Sequence, residues 1–193
     1  MKKLISIPVF ALSIYLITGC SHKPSAAELQ VRVDSMQSAL DSFTKEQATV
    51  NTLLKRFDSL DFVYYNGQQW DQLALSHDPG VQVYYPDGTM SLGLFPNHIE
   101  QLKPLFAMAP DTKIINHRVE FGSGDWTAAI GEIQGTFTDT LHTVYGKNIP
   151  PTGKPFKFMM CTIAHWKNGK ITDEYLFWDN HAFLKQIGLV PAD

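Results

Sequence analysis

The sequence predicts an α+β fold with helices laid on one face of a curved antiparallel sheet. Apolar residues recur at helical spacing through the first part of the chain, and at every second position through most of the rest. The period changes from one to the other near residue 80, at "VQVYYPDGTM", and elements that run helices first and a long meander afterwards suit this class. There is no internal repeat and no low-complexity stretch, so a single domain over residues 48–193 is expected.

The first residues, "MKKLISIPVFALSIYLITGC", read as an export signal over residues 1–19. Lys2 and Lys3 form a basic start, and Leu4 to Thr18 is apolar but shorter than the roughly 20 residues of a membrane span. The run ends in Ile17-Thr18-Gly19-Cys20, which resembles a bacterial lipobox, with Cys20 as the lipidated residue. Ser21 rather than an aspartate after the cysteine points to the outer membrane, in the cell envelope facing the periplasm or the surface. Two or three acyl chains would anchor a chain that does not span the membrane. Removing Lys2 and Lys3 from the 16 basic residues leaves 14 against 19 acidic ones, a net charge of −5. That balance gives no electrostatic footprint for nucleic acid. With Cys20 acylated, Cys161 has no intramolecular disulfide partner, and in "FKFMMCTIAHW" it reads as a small buried hydrophobe.

Residues 20–47 are expected to form the lipidated tether and an N-terminal helix. Leu29, Val33, Met36, Leu40 and Phe43 alternate steps of four and three, a narrow seam expected to pack on the domain or to pair with a second copy of the chain. A second helix is expected from Glu46 to Tyr65, with Val50, Leu53, Leu54, Phe57, Leu60 and Val63 inward and Asn66-Gly67 as its end. "QQWDQLALSH" is a short amphipathic helix, "VQVYYPDGTM" a strand, turn and strand, and "PNHIEQLKPLFAMAP" a helix. Then come "TKIINHRVEF", "DWTAAIGEIQGTFT", "KPFKFMMCTIAHW" and "KITDEYLFW" as strands, "LHTVYGKNIPPTGKPF" as a loop, and "DNHAFLKQIGL" as a closing helix.

"NGQQWDQLALSHDPGVQVYYPDG", "IGEIQGTFT", "PPTGKPF", "NGKITDEYLFWD" and "FLKQIGL", in that order and spacing, resemble the SnoaL-like polyketide cyclase (ester cyclase) branch of the nuclear-transport-factor-2-like superfamily over residues 48–190. The resemblance implies a cone: a strongly bent sheet wrapped around helices, with a deep, mostly apolar pocket. The fold hosts cyclases, isomerases, dehydratases and binding proteins, and often dimerises through its sheet, so it does not give function by itself. Its cyclases use a histidine and an aspartate about seven residues before and after the glycine of the last hairpin turn. Counted from Gly169, those positions hold Thr162 and Leu176, neither of which carries a proton near neutral pH. Asp179 matches a different family aspartate, which looks like a helix N-cap.

The last hairpin still supplies candidates. A three-residue loop at Lys167-Asn168-Gly169 would pair Trp166 with Lys170, while Asn-Gly also suits a two-residue turn that shifts the pairing by one. In the first register Glu174 faces inward opposite Thr162, beside Met160, Leu176 and Trp178, where burial would raise its pKa and suit it to acid–base work. Otherwise it lies at the open end of the sheet, solvated or paired with a lysine. His117 alternates with Ile115, Val119 and Phe121, as a core histidine or as the acid–base partner of Glu174 across a cavity. His77 ends a helix and suits capping; His98, His142 and His181 stand in polar surroundings. No spacing gathers three metal ligands locally, no glycine-rich loop cradles phosphate, Ser91 lacks a nucleophile elbow, and no cofactor is implied. Tyr85, Met160, Thr162, Leu176 and Trp178 are the expected pocket wall, suited to a flat apolar or aromatic ligand. The expected roles are therefore small-molecule binding, acid–base catalysis by Glu174 and His117, or a dimeric interaction module.

Overall fold

The computed structural model describes residues 23–143 and 146–191, so the signal segment and Cys20 lie outside the described residues. The chain divides into two compact units, up to Leu40 and from Asp41 onward. The first carries the start of helix α1 (Ala26–Ser59). Ser25 and Glu28 cap it reciprocally: the Ser25 amide donates to Glu28 Oε2 at 2.7 Å, and the Glu28 amide to Ser25 Oγ at 3.2 Å. Where two helices were expected, α1 runs on without a break. Leu29, Val33, Met36, Leu40 and Phe43, the seam expected to pack on the domain or to pair with a second copy, are all exposed in the single chain.

From Val50 the helix turns apolar residues inward, burying Val50, Leu53 and Phe57. It then widens into a π-helical turn over Leu60–Tyr65. A π turn adds a residue to each circuit, so Leu60, Asp61 and Tyr65 face inward while Val63, expected inside, is exposed. Asn66 closes this segment by pairing with an edge strand: its side chain donates to the Ile114 carbonyl at 2.9 Å and accepts from the Ile114 amide at 2.8 Å. A 3₁₀ helix (Trp70–Leu75) follows.

The strands are β1 (His77–Tyr84), β2 (Met90–Leu92), β3 (Lys113–Ser123), β4 (Trp126–Thr136), β5 (Leu141–His142), β6 (Asn148–Ile149), β7 (Pro155–Lys167) and β8 (Lys170–Trp178). Helix α2 (Ile99–Met108) lies between β2 and β3, and α3 (Asn180–Gln186) follows β8. The main sheet has the order β2-β1-β8-β7-β4-β3, and β5 with β6 forms a separate ribbon inside the expected loop. Its pairs are antiparallel except β1 with β8, which run parallel, so the sheet is mixed rather than wholly antiparallel. Its inner face buries Val81, Val83, Ala129, Ala164, Trp166 and Leu176 against α1 and the turns that follow it. A second cluster joins Tyr65, Phe106, Ile133, Phe137, Phe156 and Ile187. Asp179 caps α3, accepting from the Ala182 amide at 2.8 Å.

Candidate functional site

The β7–β8 hairpin sets the position of Glu174. Asn168 and Gly169 both have positive φ (53° and 72°), and Lys167 pairs with Lys170, so the loop has two residues and not three. Trp166 pairs with Ile171, but His165 pairs with Asp173, leaving Thr172 as a bulge. The bulge adds the one residue that restores the inward face: Ala164 lies opposite Glu174, and Thr162 opposite Leu176. Glu174 is therefore inside, as expected, but across from Ala164. Ile171 is fully buried as well.

Two histidines meet Glu174 within the core. His77 opens β1, in the same alternation as Val81 and Val83; its Nδ1 donates to the Leu73 carbonyl at 3.1 Å, and its Nε2 lies 3.5 Å from Glu174 Oε2. That carbonyl belongs to the end of the 3₁₀ helix, so His77 does cap a helix end while presenting its other nitrogen inward. His98 precedes α2 on the stripe of Leu94, Leu102 and Phe106, and is buried rather than in polar surroundings. Its Nε2 lies 3.7 Å from the same Glu174 oxygen, and its Nδ1 meets the Tyr85 hydroxyl at 3.0 Å. Tyr85 in turn bonds Ser91 at 3.0 Å. Burial pushes the Glu174 carboxyl up, but when His77 and His98 carry their second protons these imidazoliums outweigh it and hold the group below its ordinary value, opposite to the expected rise. Burial pushes His98 down to about 4 and the Tyr85 hydroxyl up to about 12.

His117 has other partners. Bulges on either side of it in β3 turn Ile114 and His117 toward α1 and leave Ile115, Val119 and Phe121 exposed. Its Nδ1 bonds Asp58 Oδ1 at 2.9 Å and its Nε2 bonds Asp61 Oδ2 at 2.8 Å. Burial lowers its pKa, but the two aspartates raise it further, and the balance is above the ordinary value. Asp61 is pushed up by burial, which His117 only partly offsets. With both ring nitrogens engaged, His117 is not paired with Glu174. Asp61 stands between them, lining with Glu174 a cavity of about 30 Å³ that also touches His77, His98, Thr162 and Leu176.

Beyond that polar end lies an apolar cavity of about 240 Å³, walled by Leu105, Phe158 and Phe183 among others. Tyr65, Leu102 and Met160 line both spaces. Met160 and Trp178 thus line the apolar cavity, Thr162 and Leu176 the polar end, and Tyr85 joins Trp178 in an outer groove of about 580 Å³. Thr162 and Leu176 face each other across β7 and β8, the two positions where the cyclase pair would stand. Cys161 lies half-buried on the other face, its thiol pushed up by burial, which leaves it a poor nucleophile.

His77, His98, Asp61 and Ser91 were not among the residues expected to form the site. The alternation of His77 with Val81 and Val83, and the four-residue spacing of Leu94, His98 and Leu102, were the available signals. Asp61 gave none, because the π turn that brings it inward has no sequence signature.

Comparison with known proteins bears on the fold. The family model of the SnoaL-like polyketide cyclases matches residues 56–187. No curated protein matches the sequence. Among solved structures, a SnoaL-like protein of Jannaschia sp. CCS1 superposes with a TM-score of 0.62 at 17% identity, covering 74% of this chain and 95% of that one. A SnoaL-like polyketide cyclase of Agrobacterium tumefaciens gives 0.50 at 20% identity, covering 65% and 90%. A protein of Catenulispora acidiphila with a ketosteroid isomerase-like fold, solved with trimethylamine, gives 0.53 at 15%, covering 67% and 89%.

Proposed function

Since the chain belongs to the SnoaL-like polyketide cyclase family, we propose that it binds a small apolar, ring-bearing molecule in the cavity between α2, α3 and the inner faces of β4, β7 and β8. The observation that carries this reading is the apolar cavity of about 240 Å³ that shares three walls with a buried polar end. Ligand sites of this kind combine a largely apolar lining with a few convergent polar groups, and drug-sized ones span roughly 300–1,000 Å³. This cavity suits a compact ligand whose one polar substituent points toward Glu174, His77 and His98. Native mass spectrometry of the mature chain purified from a periplasm tests it. A reproducible added mass is expected, and it is lost in Leu105→Trp, which fills the apolar cavity without lining the polar end. A clean protein mass for wild type, unchanged on incubation with flat aromatic compounds, would sink the reading.

The same molecule is read as a lipoprotein of the cell envelope, anchored through Cys20 with its globular part on the periplasmic side or at the surface. The support is the order of basic residues, apolar run and Gly19-Cys20 in the sequence. Metabolic labelling with an alkyne fatty acid should mark the wild-type chain and leave Cys20→Ser unmarked and in the soluble fraction. Equal labelling of both would remove the anchor from the proposal.

A further inference from the structure

The cluster at the polar end has a feature that small-molecule binding does not explain. His77 Nδ1 faces a carbonyl oxygen and must carry its proton, so the neutral ring presents a lone pair at Nε2. His98 Nδ1 can donate to the Tyr85 hydroxyl, which passes its own proton to Ser91, and His98 Nε2 then also presents a lone pair. Both point at Glu174 Oε2. The ligand atoms of all three residues lie within 4.8 Å of one another, and each side chain is more than nine-tenths buried. His77 Nε2 and Glu174 Oε2 have no hydrogen-bond partner among the described residues. Three electron-rich atoms held together in a core repel one another unless something positive stands between them.

A proton and a metal ion predict different distances. A charge-assisted imidazolium–carboxylate bond draws nitrogen and oxygen to about 2.7–2.9 Å. Ligand atoms about 2.0–2.2 Å from a tetrahedral zinc ion stand roughly 3.3–3.6 Å apart. The observed separations of 3.5 and 3.7 Å lie within and just beyond the second range and far from the first. His117 gives the contrast: its contacts with Asp58 and Asp61, at 2.9 and 2.8 Å, are those of hydrogen bonds. The outer partners of His77 and His98, a carbonyl and a tyrosine hydroxyl, are of the kind that fix the orientation of metal-bound imidazoles.

We propose that His77, His98 and Glu174 form a binding site for one divalent cation of the zinc class. Two imidazoles and a carboxylate leave a fourth tetrahedral position for water, and the small cavity beside them is where that water stands. The site does not depend on the apolar ligand, since its three donors come from the protein and meet in the core.

The test is metal content and cobalt(II) absorption of the full chain. After chelator treatment and dialysis, the chain is expected to take up one equivalent of zinc, or of cobalt with the strong visible bands of a tetrahedral site, and its melting temperature should rise. Glu174→Gln and His98→Gln, checked for folding by circular dichroism, should each weaken uptake at least 100-fold, and Glu120→Gln should leave it unchanged. The last variant matters because Asp58, His117 and Glu120 also lie close together, near the surface. Absence of stoichiometric uptake by wild type overturns the proposal without any variant. Uptake that survives Glu174→Gln and fails in Glu120→Gln overturns it equally.

Discussion

At the scale of single residues, His117 and Asp61 show how the fold partners a carboxylate at the polar end of the site. Asp61 is brought inside by the π turn, and the imidazole from β3 is its principal partner. Asp58 and, at 3.5 Å, Glu120 face the same ring from α1 and from β3. The folded state raises the pKa of His117, so its protonated form contributes stability that is complete below about pH 6.5 and is lost as pH rises through the folded value. Asp61 is raised as well, and a folded state that holds its proton more tightly also loses stability as pH rises. The two effects therefore have the same sign. Melting temperature should fall between pH 6 and pH 8, and the slope should be shallower in His117→Gln. That variant should also cost about 1–3 kcal/mol at pH 6, the scale of leaving a buried polar group without its partner, because Asp61 can take up a proton instead of staying charged. Urea titrations at several pH values check both, and a stability that rises with pH in this range would contradict the assignment.

At the scale of elements, the hairpin that carries Glu174 separates what could be read from what could not. Alternation along "KPFKFMMCTIAHW" and "KITDEYLFW" was enough to put Thr162, Ala164, Glu174 and Leu176 on one face, because side chains in a strand repeat every second residue. The turn was not legible. Asn168-Gly169 suits two loop lengths, and the extra residue at Thr172 reverses the consequence of choosing wrongly: a two-residue turn plus a bulge gives the same inward face as a three-residue turn without one. In β3 the same kind of irregularity worked against the reading, since two bulges uncoupled His117 from Ile115, Val119 and Phe121. The polar cluster was harder still. His77, His98 and Glu174 arrive from the start of one strand, the turn before a helix and the middle of another strand. Each is ordinary in its own neighbourhood, and only the parallel pairing of β1 with β8 brings His77 beside Glu174's strand. The absence of local ligand spacing thus said nothing about whether ligands meet in space.

At the scale of the whole molecule, the distribution of burial along α1 predicts which part of the chain the fold needs. The buried clusters draw their residues from Val50 onward. Every described residue before Val50 is exposed, including Leu29, Val33, Met36, Leu40 and Phe43. An isolated helix of the length that precedes Asp41 is marginal in water, because forming the first turn fixes several residues for one hydrogen bond. Continuous with a segment held by Val50, Leu53 and Phe57, the same residues need only propagate. A chain beginning at Asp41 should therefore keep its melting temperature to within about 2 °C, no more than the shift that about 1 kcal/mol produces in a domain of this size. It should lose helical circular dichroism in proportion to the residues removed. It should also retain the ligand mass and the single equivalent of metal, since every residue named for either site lies after Asp41. A fall of 10 °C or more on this truncation would mean that the exposed seam is covered in the working protein, and a dimer lost at the same time in sedimentation would identify the cover as a second copy of the chain.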